Sequence, residues 1–422
     1  MPEHSTSPAG PRMPLSGRRV IELGELLAGP FIGTLLGEFG AEVIKIERPG
    51  RGDVLRQFGP VVGGQSLYWL ASARNKKSVV LDLEAEAGRT VLKDLIAKCD
   101  VLIDSLRPGT LDRWGLDDAW LSAQHPGLII VHASAFGRQG PYKAKGGYDP
   151  IAQGFSGLSH VTGEADGPPM RAGGAVPVCD FMTGLAGALG AVLGLYVRDA
   201  TADGKGQSVD IALYDMAFRM LGPLLANFDL TGEIWERDGN HSLGGAPTGH
   251  FRTRDGHWIC TSVQNSEQFG RLAQLVGRPE WPSDRRFADL RARTAHRDAI
   301  EEVVAEWIAS RSRSEVIEAF EKSGLVIGPI NSVADLAIDP HLEHRSTFWD
   351  DDPDVGRHRQ PKVAPILART PGQVCSRAPR IGENTEEVLK SLLSYSNAKL
   401  VQLASKGAIE HPELEPIQAR QG

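Results

Sequence analysis

The chain is poor in the residues that build metal sites and disulfide frameworks. Its 422 residues include only four cysteines, Cys99, Cys179, Cys260 and Cys375, far apart and without a CxxC pair or a Cys/His ligand set. That spacing speaks against structural zinc and a disulfide scaffold, and it fits a reducing compartment. No HExxH is present, so no metal ligands are assigned. Also missing are a GxxxxGK phosphate loop and a GxGxxG after the first expected strand, where the chain reads GELLAGP instead. Nucleotide hydrolysis and NAD binding therefore lose their usual support. An excess of positive charge is lacking as well: the formal net charge is −7, which makes nucleic acid an unexpected partner. Residues 1–17, MPEHSTSPAGPRMPLSG, carry no apolar core and read as a flexible tail, neither signal peptide nor membrane anchor. A cytoplasmic protein is expected.

What is present is an α/β rhythm. RRVIELG and AEVIKIE read as buried strands flanking a helix over AGPFIGTLLGEFG, opened by Pro30 near its first turn. KSVVLDL, EAGRTVLKDLIAKC and DVLIDS repeat the unit, and LIIVHASAFG adds a strand. A mostly parallel, open, Rossmann-like sheet with helices on both faces follows. The expected organisation is a large domain over 18–230, a Gly-rich linker over 231–249 and a smaller α+β domain over 250–330. The last begins with a hairpin around Asp255–Gly256. Residues 331–422 are Pro- and charge-rich, with one short helix at NTEEVLKSLLS.

One stretch stands out, GGAVPVCDFMTGLAGALGAVLGLYV at 173–197. From Phe181 to Val197 it is uncharged and apolar all round, the pattern of a helix buried on every face and too short for a comfortable membrane span. Its glycines, Gly184, Gly187, Gly190 and Gly194, recur at roughly helical spacing and predict a face for close backbone packing. Asp180 has two compatible readings at the mouth of this helix. It could be the N-cap, its side chain accepting a first-turn N–H. It could also be a nucleophile, kept ionised by the helix dipole. Cys179 is a rival nucleophile, although neighbouring side chains there point opposite ways.

Cationic side chains cluster near expected strand ends: Arg48, Arg51 and Arg56; Arg74, Lys76 and Lys77; Arg107 and Arg113. Ligands of open α/β sheets sit outside the carboxyl ends of strands, which places Arg48 and Arg107 well for phosphates.

Several motifs in order, AGPFIGTLLGEFGAEVIKIERPGRGD, RNKKSVVLDL, RPGTLDRWG, SAFGRQGPY, GGYDPIAQGFSGLSHVTGEADGPP and DGKGQSVDIALYD, make the chain similar to the class III CoA-transferases. That family includes formyl-CoA, carnitine and succinyl-CoA-dependent transferases and α-methylacyl-CoA racemase. The resemblance runs from about Leu15 to about Leu393. It implies Asp180 as catalytic aspartate, CoA binding at Leu27, Ala28, Arg48, Arg107 and Arg113, and Tyr148 on the substrate side. It further implies an interlocked homodimer and no bound cofactor, the CoA thioester being a substrate alongside a small organic acid. Leu27 stands where formyl-CoA transferase has a glutamine, and GGAPTG where it has a longer glycine run, which speaks against oxalate or formate. The implied reaction moves CoA from a donor such as succinyl-CoA to a carboxylic acid through an aspartyl-CoA thioester. Backbone N–H groups of Ala28–Gly29 or Gly173–Gly174 are candidate oxyanion donors. Two alternatives are an acyl-CoA racemase, disfavoured by Tyr148 in place of a histidine base and by the unmatched spacing of His160, and a non-catalytic CoA-binding subunit.

Overall fold

The computed structural model describes residues 12–242 and 244–410. The first eleven residues of the expected tail lie outside this range. Residues 12–17 form an ordered turn, because Leu15 packs beside the core and its N–H donates to the Phe39 carbonyl at 2.9 Å.

In chain order the sheet-bearing part runs β1 (Arg19–Leu23), α1 (Ala28–Glu38), β2 (Glu42–Glu47), a small hairpin β3–β4 (Val61–Val62, Gln65–Ser66) and α2 (Leu67–Ser72). It continues with β5 (Lys76–Val80), α3 (Glu86–Ile96), β6 (Val101–Asp104), α4 (Thr110–Arg113), α5 (Asp118–Gln124) and β7 (Ile129–Ser134). Last come α6 (Asp149–Ser156), α7 (Val178–Ala200), β8 (Ser208–Ala212), α8 (Asp215–Met220) and α9 (Gly222–Thr231). The six long strands make one parallel sheet in the order β5-β2-β1-β6-β7-β8. Their Val/Ile/Leu-rich runs are covered on both faces, as parallel sheets require. Helix α3 packs on one face with residues of the C-terminal helices, Leu389 and Leu400 among them. Helices α1 and α7 cover the other face. The chain leaves β1 toward β2 and β5, then returns to the opposite side of β1 with β6. The crevice at the carboxyl ends of β1 and β6 is therefore the topological switch point.

The chain divides into two compact units, with residues 161–169 and 236–344 forming the second. The crossing at 235/236 falls inside the expected linker, and residues 331–344 stay with the smaller unit. That unit has an antiparallel sheet of β9 (Thr248–Arg252), β10 (Trp258–Ser262) and β11 (Ile327–Pro329). Helices α10 (Ser266–Leu275), α11 (Leu290–Ala295), α12 (Arg297–Ala309) and α13 (Arg313–Lys322) accompany it, with α14 (Val333–Ala337) and α15 (Pro340–Arg345) following. From residue 345 the chain belongs to the sheet unit. There it adds a hairpin, β12 (Thr347–Asp352) and β13 (Gly356–Pro361), and helices α16 (Thr385–Leu393) and α17 (Asn397–Ser405). The hairpin, α14, α15 and α17 exceed the single short helix expected of residues 331–422.

Helix α7 corrects two expectations. At 23 residues it is long and apolar enough by composition to cross a membrane, yet it packs on the sheet. It is also not buried all round. Its glycine face lies against Phe31 and Ile32 of α1 and Val209 and Ile129 of the sheet, where a Cβ at Gly184 or Gly187 would overlap α1 side chains. The opposite face leaves Leu185, Leu189, Leu193 and Tyr196 exposed.

Candidate active site

The N-termini of α1 and α7 meet at the carboxyl edge of the sheet. Phe31, one turn into α1, stacks edge-on against Phe181 of α7 with ring centroids 4.9 Å apart. Ala28 packs against the small cluster that buries Cys179. The turn leading into α1 is strained, since Leu26 has φ of 69° in the left-handed region. A buried charge network holds it there. Asp53 accepts the Leu26 N–H at 3.0 Å, and Lys45 Nζ reaches Asp53 at 2.7 Å, Glu22 at 3.0 Å and the Gly24 carbonyl at 3.0 Å. Lys76 pairs with the other Glu22 oxygen at 2.9 Å. Burial works to discharge Lys45, but Asp53, Glu22 and Glu47 around it hold its ammonium well above the usual lysine range.

Asp180 does not cap its helix. The cap residue is Pro177, which has no side-chain acceptor, and Asp180 is the third helical residue. The donor is satisfied from another helix: Asp149 Oδ1 accepts the Cys179 N–H at 2.7 Å. Asp149 is 3% exposed, and its second oxygen accepts from Gln153 Nε2 at 2.8 Å. Asp180 itself has no hydrogen-bond or ion-pair partner among the described residues. Burial first, then the Asp149 charge, push its pKa from 3.8 up to about 7. Desolvation and a like charge thus work against the ionised form expected of a carboxylate at a helix N-terminus. Cys179 is removed as a rival. It is fully buried, and burial with the charges of Asp149 and Asp180 pushes its thiol to about 12, so the thiolate is scarce at neutral pH.

The cationic residues sort by burial. Arg56 pairs with Glu47 at 2.7 Å and lies over the Trp69 ring, Arg74 is buried against Glu38, Lys76 belongs to the buried network, and Lys77 bridges Glu42 and Glu387. These are structural. Arg48, Arg51, Arg107 and Arg113 remain exposed. Arg48 reaches Glu25 at 3.2 Å, and Arg107 has no ion pair among the described residues. Arg48 follows β2 and Arg107 follows β6, so the two flank the end of β1 between them. The loop carrying Arg107 and Arg113 is pinned at both ends by His132 of β7, whose ring lies 2.9 Å from Asp104 and 3.0 Å from Asp118. Burial opposes protonation of this histidine, but the two aspartates win and raise it to about 9.

Leu27 offers no side chain to a ligand, being buried among Leu55, Trp69 and Leu70. Ala28 and Gly29 carry first-turn amides without intrahelical partners and with no other acceptor among the described residues. The Gly174 N–H, by contrast, is directed to the Arg171 carbonyl at 3.3 Å. Tyr148 is 66% exposed, immediately before Asp149. Sequence reasoning missed Asp149, Gln153 and the Lys45 network. Glu22 and Lys45 had a legible signal, a single charge inside each apolar strand, VIEL and VIKI, that must be buried on both faces.

The model of CoA-transferase family III matches residues 15–385. The chain belongs to that family. This CoA-transferase is 40% identical over 401 residues to the alpha subunit of succinyl-CoA–L-malate CoA-transferase from Chloroflexus aurantiacus, covering 94% of this chain and 93% of that protein. It is 32% identical to human succinyl-CoA:glutarate CoA-transferase, covering 95% and 91% respectively. A solved CaiB/BaiF family protein from Brucella suis superposes with a TM-score of 0.79 at 34% identity, covering 90% of this chain and all of that one. The protein is thus an enzyme that transfers CoA between an acyl-CoA and an acid.

Proposed function

We propose that the enzyme moves CoA from a donor of the succinyl-CoA type to a small carboxylic acid through an aspartyl-CoA thioester on Asp180. One observation carries this reading: an unpartnered carboxyl with a pKa of about 7 lies where two helix N-termini meet at the switch point of the sheet. The ionised Asp180 oxygen attacks the thioester carbonyl, the C–S bond breaks, and a mixed anhydride and CoA thiolate result. The thiolate then attacks the Asp180 carbonyl carbon, releasing the donor acid and leaving Asp180 as the CoA thioester. An incoming carboxylate attacks that thioester, expels the thiolate and forms a second anhydride. Attack of the thiolate on the new acyl carbon yields the product thioester and frees Asp180. The Ala28 and Gly29 amides are the candidate oxyanion donors. Arg48, Arg107 and Arg113 grip the nucleotide end of CoA, and Tyr148 faces the acyl group. The names of the relatives favour a dicarboxylic acceptor, such as malate or glutarate.

The working particle in this reading is an interlocked homodimer in the cytoplasm. The exposed apolar face of α7, together with α9, which buries none of its residues, supports coverage by a second copy. All four cysteines are free thiols, which fits a reducing compartment. Asp180→Asn tests the chemistry. The variant should fold, keep CoA binding and lose transfer, whereas the unaltered enzyme incubated with succinyl-CoA should show a CoA adduct on Asp180 by mass spectrometry. Light scattering on the same preparation should give two chains per particle. Full transfer activity in Asp180→Asn would exclude the mechanism.

A further inference from the structure

We propose that Asp149 is the positioning residue for Asp180: from helix α6 it closes the open N-terminus of α7 and sets a second carboxylate against the one that reacts. The inference rests on the reading of Asp180 as nucleophile. Three observations carry it. Helix α7 has no cap of its own, Pro177 offering no side-chain acceptor, and the Cys179 N–H is one of the first-turn donors that would otherwise be orphaned. Asp149 satisfies that donor at 2.7 Å, and the bond fixes the first turn of α7, on which Asp180 is the next residue. Finally, Asp149 is 3% exposed and has no cationic partner among the described residues, an arrangement a purely structural buried carboxylate avoids. Its two contacts are neutral N–H donors, from Cys179 and Gln153. Gln153 also reaches the Ala172 carbonyl at 3.4 Å, tying α6 to the segment that leads into α7.

The consequence is chemical. An anion held beside Asp180 makes the Asp180 carboxylate more basic, and so a stronger nucleophile toward a thioester. The remaining titratable groups around this end of α7 do not supply that charge. Cys179 on the helix itself stays protonated, Tyr214 stays neutral because burial and the charges of Asp215 and Asp210 raise it, and the one carboxylate of α1, Glu38, lies at the far end paired with Arg74. Asp215, on the segment after β8, is itself pushed toward the neutral form by burial.

Asp149→Asn and Asp149→Ser separate the cap from the charge, since both side chains can accept the Cys179 N–H and neither is ionised. In the full-length enzyme, the acid limb of the pH profile for kcat/KM should move down by about one pH unit in each variant. At pH 8, kcat should fall several-fold while KM for the CoA donor changes little. A merely structural role would alter stability and leave the acid limb in place. A folded variant of either kind with an unmoved acid limb overturns the proposal. Failure of the functional reading is seen separately, as transfer retained in Asp180→Asn.

Discussion

Two clusters of buried charge stand at the carboxyl edge of the same sheet and follow opposite rules. In the first, Glu22, Lys45, Asp53 and Lys76 alternate in sign, every charge facing an opposite one within 3.0 Å. In the second, Asp149 and Asp180 share a sign and no cation among the described residues answers them. The first arrangement holds a strained turn in place, and the carboxylates around Lys45 offset the desolvation of its ammonium. The second leaves a carboxyl at about 7, balanced between its two states. Paired burial therefore builds the scaffold, whereas in the proposed mechanism unpaired burial supplies the reactive group.

The contrast can be broken from either side. The largest effect is expected from Lys45→Met. It strands Asp53 without its cation and leaves Glu22 with Lys76 alone, and removing one partner of a buried pair costs about 3–5 kcal/mol. Urea denaturation should show that loss, and a change under 1 kcal/mol would mean that the network is not what holds the turn. A smaller effect of opposite sign is expected from Asp180→Asn. The folded-state pKa of about 7 lies above the ordinary 3.8, so the native state binds the proton more tightly and wild-type stability falls as pH rises between those values. The variant escapes that penalty and should be more stable than wild type at pH 8 by about 1–3 kcal/mol, with the gap closing toward pH 4. A gap independent of pH would contradict the raised pKa.

The smallest effects sharpen the comparison at the exposed cations, which belong to neither cluster. Arg48→Ala, Arg107→Ala and Arg113→Ala should each raise KM for the CoA donor about tenfold with kcat little changed, because a grip on the nucleotide is the same in ground and transition states. The same variants should melt within about 0.5 kcal/mol of wild type, as solvated charges do. Equal losses in kcat and kcat/KM would instead place these arginines at the reacting atoms.

Much of this organisation is legible in local pattern. The apolar runs VIEL, EVIKIE and IIVHAS announce buried strands of a parallel sheet, and the stretches after VIEL and after KKSVV supply crossover helices. The glycines of α7 announce a close-packed face, and Asp180 is conspicuous as the first charge before an uncharged helix. The cations were legible only as a set. Arg48 and Arg74 look alike in sequence, and burial alone separates a solvated guanidinium from one locked against Glu38.

The sequence by itself determined the α/β class and the family and singled out Asp180 as the candidate aspartate, because periodicity and motif order are properties of neighbouring residues. Only the tertiary structure decided what surrounds that aspartate. Residues 149 and 180 are 31 positions apart, and nothing local to either says that one caps the helix of the other. The same holds for α7, which reads as buried all round and instead turns a row of leucines outward. Capping, charge repulsion and exposure depend on which distant atoms arrive within a few ångströms. Those distances are set by the packing of α6 against α7 and of α7 on the sheet, not by the residues taken one at a time.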